Sequence, residues 1–79
     1  MTAPSIAIPA QPPPPAPLAI RRARLMLGLT QGQAAALIYK TARTWISYET
    51  GRHAMDPVLF EVWLIKSAKL AKRQFPRQS

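Results

Sequence analysis

The most regular pattern of apolar and polar positions lies between Leu29 and Gly51, in the run LTQGQAAALIYKTARTWISYETG. Three apolar residues in its first half fall at helical spacing on one face, namely Ala34, Ala35 and Ile38. Thr30 precedes them as a candidate N-cap, and Gln33 stands three residues later in the capping-box position. The pattern therefore predicts a short helix that begins just after Thr30.

A second short helix is predicted in the later half of the same run. Tyr39 and Lys40 break the apolar pattern, and Thr41 then provides a second candidate N-cap. The inner side of this helix is formed at i, i+3 and i+4 by Trp45, Tyr48 and Glu49. Gly51 ends it, since glycine readily adopts the positive φ found where helices stop. Two short helices joined by a tight turn are typical of a helix-turn-helix, whose second helix presents its outer face to DNA.

A third helix is predicted upstream of this run, over residues 18–27. Its inner face has apolar side chains at i, i+3 and i+7, from Ile20, Ala23 and Leu27. Gly28 ends the helix, and Leu29 fills the gap before the next one. Arg21 and Arg22 point outward, where they are either solvated or in contact with phosphate.

The downstream helix is predicted from Pro57 to about Lys72. Asp56 at the N-cap and Pro57 at the first helical position mark its start. Its apolar residues extend beyond one stripe, and a helix that is apolar nearly all round must be buried on more than one side. In so small a chain we expect the second side to contact another subunit. The surplus apolar residues are Phe60, Trp63, Leu64 and Ile65. We predict the subunit interface from the first three of them, while the pattern leaves open which of the four face the core and which the partner.

The first 17 residues differ from the rest in composition. They contain seven of the nine prolines, including the run from Pro12 to Pro15, and no charged residue. Such a segment favours an extended polyproline II conformation and does not sustain a helix. We therefore expect a disordered arm over residues 1–17, a helical domain over residues 18–73 and a flexible tail over residues 74–79.

The charge balance narrows the class of partner. The 79 residues include 11 Lys and Arg against 3 Asp and Glu, which gives a formal net charge of +8. This balance points to a polyanion, and to nucleic acid before a membrane surface. With no cysteine and one histidine, His53, neither a disulfide nor a metal site is expected. The few carboxylates leave no set of nucleophile, base and orienting group, so we expect neither catalysis nor a cofactor.

The run described first resembles the helix-turn-helix of the lambda-repressor-like, or xenobiotic-response-element, family of transcriptional regulators. The matching elements, with no insertion or deletion, are Leu29-Thr30-Gln31, Ala35, Thr41 and Glu49-Thr50-Gly51. Two positions depart from the family pattern. Tyr39 replaces the usual turn glycine, so it must adopt the left-handed region or a different turn, and Trp45 replaces Ile or Val. The resemblance covers roughly residues 18–73 and implies a compact all-α domain of four to five helices.

The resemblance also assigns base contacts to the outward side of the second helix. The residues on that side are Ala42, Arg43, Thr44, Ile46 and Ser47. Three of them match family positions that contact base edges, namely Ala42, Arg43 and Ser47. Arg43 can make the bidentate contact to guanine that is the commonest specific pairing, and its alternative role is a phosphate contact. Ile46 can pack on a thymine methyl group.

Backbone contacts and one ion pair complete the predicted site. The residues placed to contact the DNA backbone are Thr30, Gln31, Lys40, Thr41 and Arg52. Gln31 matches a family position that contacts phosphate. In the family, an arginine of the first helix pairs with the glutamate of the closing Glu-x-Gly, so the resemblance implies a partly buried pair of Arg24 and Glu49. Such a pair need not add net stability, but removal of one partner leaves the other buried and uncompensated.

The sequence therefore predicts a transcriptional regulator that binds duplex DNA as a homodimer and represses its own or a neighbouring promoter. Its operator is expected to be an inverted repeat, and its location the cytoplasm of a bacterial or phage-infected cell, on the nucleoid. The run RTWISYETGRHAMDPVLFEVWL is more specifically similar to small phage-encoded regulators, including those associated with anti-CRISPR operons.

Two other classes of function compete with this prediction. One is a protein-interaction module, such as the antitoxin of a toxin–antitoxin pair, whose last helix binds another protein. The other is an amphipathic membrane binder built on the last helix. The membrane binder is the weakest of the three, because the positive charge lies at one end of that helix rather than along one face.

Overall fold

The computed structural model describes residues 12–74, and these form an all-α fold. Its helices are α1 (Pro17–Met26), α2 (Gln31–Ala36), α3 (Ala42–Glu49) and α4 (Pro57–Gln74). The predicted all-α class and the order of the helices are confirmed, and the described range contains four helices and no strand. The parts of the predicted arm and tail at residues 1–11 and 75–79 lie outside the described residues.

α1 begins one residue earlier than predicted, because Pro17 takes a place in its first turn. Proline suits this place, since its missing N–H would lack a helical partner there in any case. The arm predicted over residues 1–17 therefore ends one residue earlier, at residue 16, and residues 12–16 are non-helical. At the other end of α1, Gly28 adopts a φ of +66°. The N–H groups of Gly28 and of the next residue donate back to carbonyls of α1 in a Schellman arrangement.

α2 is a short helix with hydrogen bonds that satisfy both of its ends. Thr30 and Gln33 form the predicted capping box, with the Thr30 N–H donating at 2.9 Å and the Gln33 N–H at 3.1 Å to the other residue's side chain. At its C-terminal end, the N–H groups of Tyr39 and Lys40 donate back to carbonyls of α2 in a second Schellman arrangement. Tyr39 has a φ of 59°, the left-handed conformation that was one of its two predicted options. The turn between α2 and α3 is thus built without glycine.

Two tryptophans form the centre of the core. The largest side chains that are completely buried belong to Trp45, Trp63, Ile20 and Met55. The ring centroids of Trp45 and Trp63 are 5.2 Å apart. Ala34 is also buried, and the indole N–H of Trp63 donates to its carbonyl at 2.9 Å. This bond satisfies a polar group that would otherwise be costly in the interior.

The prediction that Trp63 lies in a subunit interface is wrong. Trp63 is completely buried among the protein's own helices. Phe60 stacks on it, with ring centroids 6.2 Å apart, and packs half-buried against the same core. Leu64, the third residue predicted for the interface, is exposed. The side of α4 that faces the core is therefore decided by the contact of Trp63 with the small Ala34 on α2.

α4 starts as predicted and runs past its expected end near Lys72 to Gln74. The side chain of Asp56 accepts the N–H of Val58 at 2.8 Å, which satisfies one of the free donors at the helix start. The outer side of α4 has four large apolar side chains exposed, from Val58, Val62, Leu64 and Ile65. α4 thus covers the core with one side and presents an apolar surface on the other.

We expect the segment before α1 to be dispensable for folding. A chain that begins at Ala16 keeps the carbonyl of this residue, which accepts the N–H of Ile20 at 3.1 Å. It loses only uncharged, proline-rich sequence, of which residues 12–14 are exposed. Its thermal midpoint in circular dichroism should match that of the full chain. A control chain that begins at Arg21 also lacks the buried Ile20 and should melt at a lower temperature. A lower midpoint for the first truncation would show instead that the arm packs on the domain.

Candidate nucleic-acid interface

α3 is held against the core with one side facing outward. Its N-terminal end is capped by Thr41, whose hydroxyl accepts the N–H of Thr44 at 3.3 Å. Trp45 and Tyr48 are buried, and they decide which side of α3 faces inward. Among the residues predicted to contact bases, Ala42, Arg43 and Ile46 are exposed, whereas Thr44 and Ser47 are half-buried.

A groove of about 820 Å³ follows the outer side of α3 and the loop that comes after it. Its lining includes Arg43, Ile46, Ser47, Arg52 and His53. The groove combines two guanidinium groups with the apolar side chain of Ile46, so it offers both hydrogen-bond donors and a hydrophobic contact. The sequence does not place His53 in this groove, because nothing in the local pattern shows that its loop folds back beside α3.

The polar side chains on the outer side of α3 differ in how much hydrogen-bonding capacity they have left for a ligand. Ser47 Oγ donates to the carbonyl of Thr44 at 2.6 Å, so in this rotamer it has only acceptor capacity left for a ligand. Thr44 Oγ1 lies 3.3 Å from the hydroxyl of Thr41. Arg43 forms no side-chain hydrogen bond with any described residue. Its five N–H donors are therefore the main unused hydrogen-bonding capacity of α3.

Glu49, the last residue of α3, is the centre of a hydrogen-bonded network that joins three helices. Arg24 of α1 donates from Nε to Oε2 at 2.6 Å and from Nη2 to Oε1 at 3.1 Å, a bidentate ion pair. Gln31 of α2 donates to Oε1 at 3.3 Å, and the indole N–H of Trp45 donates to Oε2. Arg24 also donates to the carbonyl of Leu29 at 2.9 Å. The pair implied by the family resemblance is thus present, and three helices converge on one carboxylate.

The surroundings of Glu49 favour its ionised form. Its side chain is 5% exposed and that of Arg24 is 11% exposed. Burial is the largest influence and by itself raises the pKa of Glu49, but hydrogen bonds from Arg24, Trp45 and Gln31, with the charge of Arg24, together outweigh it. The pKa of Glu49 is therefore lower than its ordinary value of 4.5, and the carboxylate is ionised at neutral pH.

The free energy of unfolding should consequently fall on acidification. A carboxyl group whose pKa is lower in the folded than in the unfolded chain stabilises the fold above the unfolded pKa, and this contribution is lost as the pH falls through the folded pKa. For Glu49 the loss should begin near its ordinary pKa of 4.5 and grow below it. Urea titrations at a series of pH values would measure the profile. Glu49→Gln should flatten it in this range, whereas an unchanged profile would assign the effect to another carboxylate.

Of the five residues predicted to contact the DNA backbone, Thr30 and Gln31 lie beside this network. Four of the five are exposed, namely Thr30, Lys40, Thr41 and Arg52. Gln31 is half-buried, and its bond to Glu49 leaves one amide hydrogen for a further partner. A hollow of about 500 Å³ is lined by Arg21, Arg24, Thr30, Gln31, Glu49 and Thr50. The sequence predicts Arg21 to be either solvated or in contact with phosphate. It lies beside Thr30 and Gln31, two of the predicted backbone contacts.

α4 supports the turn between α2 and α3. Lys66 Nζ donates to the carbonyl of Leu37 at 2.9 Å and lies 4.4 Å from the centre of the Tyr39 ring. Its positive charge thus satisfies a carbonyl at the C-terminal end of α2, where cations are favoured, and packs on an exposed aromatic ring. No local pattern predicts this contact, because Leu37 and Lys66 are 29 positions apart in the chain.

Comparison with known proteins does not assign the chain to a family. No protein-family model matches the chain, and no curated protein has a significantly similar sequence. Among residues 12–74, no group of three or more His, Cys, Asp and Glu side chains is placed to hold a metal ion. Within the same range, no helix is both long enough and apolar enough to cross a membrane.

Proposed function

We propose that this chain is a DNA-binding transcriptional regulator with a lambda-repressor-like helix-turn-helix formed by α2 and α3. The observation that supports it most directly is the outer side of α3, where Arg43 and Ile46 are exposed while Trp45 and Tyr48 anchor the opposite side. A helix held in this way can enter the major groove of B-DNA, which is about 12 Å wide. The net charge of +8 favours the attraction to phosphates that supplies most non-specific affinity.

In this proposal the contacts are of two kinds. Arg43 makes bidentate hydrogen bonds to O6 and N7 of guanine, and Ile46 packs on the methyl group of thymine. Ser47 accepts a hydrogen bond from a base, because its own proton is donated to Thr44. Ala42 has no hydrogen-bonding side chain and contributes only shape. The contacts to phosphate, which position α3 without discriminating between sequences, come from Thr30, Gln31, Lys40, Thr41 and Arg52.

We further propose that two copies bind one operator in the cytoplasm. Two recognition helices that enter successive major-groove faces on one side of the duplex require half-sites about 34 Å apart, one helical turn. A twofold protein dimer requires these half-sites to be an inverted repeat. Bound at its own or a neighbouring promoter, the dimer would exclude RNA polymerase and so act as a repressor.

A second candidate function is a protein-interaction module such as an antitoxin. It is favoured by the apolar side chains that α4 exposes, with Ile65 and Val58 both more than half exposed. In that case α4 would bind another protein, and DNA binding would be secondary. The two functions differ in whether the purified chain alone recognises a specific duplex.

A gel-shift experiment tests the proposed function. The purified full chain is titrated onto the duplex upstream of its own gene, with a shuffled duplex of the same length as control. We expect the upstream duplex to be retarded at a lower protein concentration than the shuffled one, with both affinities falling as salt increases. Equal retardation of the two duplexes, or none, would reject an operator at its own promoter. The same result with duplexes from the neighbouring promoters would reject specific DNA binding and favour the protein-interaction module.

Arg43 should determine specificity at one base pair in each half-site. If it contacts guanine, Arg43→Ala should weaken binding by roughly 1–3 kcal/mol and relax the preference at that position only. Competition binding against a set of single-base operator variants, at two salt concentrations, measures both effects.

Arg52→Ala is the matched control, since it removes the same side chain from the same groove but at a position assigned to phosphate. It should weaken binding to all duplexes alike. The slope of the logarithm of the binding constant against the logarithm of the salt concentration should become shallower by about one. If Arg43→Ala behaves in the same way as this control, Arg43 contacts phosphate and does not carry specificity.

A further inference from the structure

The outer side of α4 is a continuous stripe of exposed side chains. At helical spacing along it lie Val58, Glu61, Val62, Ile65, Lys69 and Lys72, all exposed. Ile65, near the middle of the stripe, is 58% exposed. The opposite side of the helix faces the core through the buried Trp63 and Ser67. The stripe is therefore a surface that α4 does not use to fold the described part of the chain.

Charge is divided between the two ends of this stripe. Glu61 is the sole acidic residue of α4 and lies in its first half, whereas Lys69 and Lys72 lie in its second half. Glu61 forms no ion pair with any described residue. Its neighbours at i−3 and i+4 are Val58 and Ile65, so no lysine lies where it would form a stabilising pair within the helix. The carboxylate thus interrupts an apolar surface without stabilising α4 itself.

We propose that this stripe pairs with the same stripe of a second copy, in antiparallel orientation and with Ile65 at the twofold axis. The inference rests on the homodimer of the proposed function and specifies its interface. In such a pair, residues equally far before and after Ile65 face each other across the axis. Glu61, four residues before Ile65, then faces Lys69, four residues after it, and symmetry forms this ion pair twice.

The apolar positions of the stripe fit the same register. Val62, three residues before Ile65, faces Ala68, which is small, exposed and three residues after it. Val58, seven residues before the axis, faces Lys72, whose alkyl stem can cover it while the ammonium group reaches water. The two Ile65 side chains pack on each other at the centre. Each exposed apolar residue of the stripe therefore has a partner in the second copy.

A parallel pair would lack this complementarity. It would bring Glu61 beside Glu61 and place the lysines of one copy against those of the other, and like charges across a helix pair select against that orientation. The antiparallel interface is formed by Val58, Val62 and Ile65. It replaces the interface of Phe60, Trp63 and Leu64 predicted from the sequence. One pair of helices buries less surface than a typical stable complex, so the dimer should dissociate measurably on dilution.

Exchange of the two charges tests the orientation. Sedimentation equilibrium on the full chain gives the dimer dissociation constant of the parent, Glu61→Lys, Lys69→Glu and the double exchange. Each single exchange replaces two attractive pairs with two repulsive ones, so we expect a dimer roughly tenfold weaker. The double exchange restores both pairs in reverse, so its dissociation constant should return to within about threefold of the parent value. Arg22→Glu, an equal change of charge on the exposed side of α1, should leave the constant unchanged.

Three results would overturn the antiparallel pair. These are a parent chain that stays monomeric at high micromolar concentration, a double exchange as weak as either single exchange, and an intact dimer in Ile65→Glu. All the substituted side chains are exposed, so we expect each variant to fold. Circular dichroism of each variant checks this. A gel shift on the same variants separates this inference from the proposed function. The expected dimer pattern without DNA binding would support the interface and reject the regulator, whereas specific DNA binding by a monomer would overturn the interface alone.

Discussion

Replacement of Trp63 by alanine should lower the free energy of unfolding by about 3–5 kcal/mol, the range for removal of a large aromatic side chain from a core. Trp63 is completely buried and packs between the rings of Trp45 and Phe60. The substitution also removes the donor to the carbonyl of Ala34, a bond of 2.9 Å. The carbonyl of Ala34 still accepts the N–H of Leu37 at 3.3 Å, so the loss of the indole donor adds little to this cost. Urea denaturation followed by circular dichroism measures the loss.

Leu64→Ala is the control for this experiment, because Leu64 is the adjacent residue on the same helix and is 43% exposed. Its truncation should cost much less than that of Trp63 at a protein concentration where the chain is monomeric. If both substitutions had small and similar effects, with the effect of Trp63→Ala increasing with protein concentration, Trp63 would lie in a subunit interface after all.

Glu49→Ala should destabilise the chain by about 3–5 kcal/mol, because it leaves the guanidinium group of Arg24 buried without its counter-charge. Both side chains are mostly buried, so solvent screens the pair only weakly. The substitution also removes the acceptor for the indole N–H of Trp45 and for Gln31. The matched control is Glu61→Ala, which removes an exposed carboxylate and should change the stability of the monomer by well under about 1 kcal/mol.

A double-mutant cycle shows whether Arg24 and Glu49 act as a pair. Removal of both charges in Arg24→Met with Glu49→Leu leaves no uncompensated ion, so the double variant should be more stable than Glu49→Leu alone. Additive losses in this cycle would mean that each side chain contributes independently. A double variant more stable than Glu49→Leu would identify the ion pair as a contact that positions α1 against the end of α3 rather than a source of net stability.

The sequence predicted the helices well because their signals are local. The caps at Thr30 and Thr41, the proline in the first turn of α4 and the glycine after α1 each act within a few residues. The left-handed φ of Tyr39 is one of the two options that the sequence predicts for a turn without glycine. The ends of α1 and α4 differ from the prediction by one or two residues, which is the usual uncertainty of helix boundaries.

The orientation of α4 could not be predicted, because a helix with apolar residues on most sides carries no directional signal. Its direction depends on Trp63 meeting Ala34, two residues that are 29 positions apart. The outer side of α3 could be predicted, because the spacing of Trp45 and Tyr48, which are both buried, indicates which side faces inward. The contact of Lys66 with the turn is also long-range, and the fold of the loop around His53 is irregular, so no periodicity predicts either of them.

The burial of both tryptophans has a practical spectroscopic consequence. Trp45 and Trp63 are the two tryptophans of the chain, and neither indole has exposed surface. Intrinsic fluorescence excited at the indole band therefore arises from the interior alone, with emission at short wavelength that moves to the red when the chain unfolds. The outer side of α3 contains no indole, so a duplex bound there should leave the emission wavelength unchanged. Fluorescence can thus monitor folding in the presence of DNA, while anisotropy of a labelled duplex reports occupancy in the same cuvette.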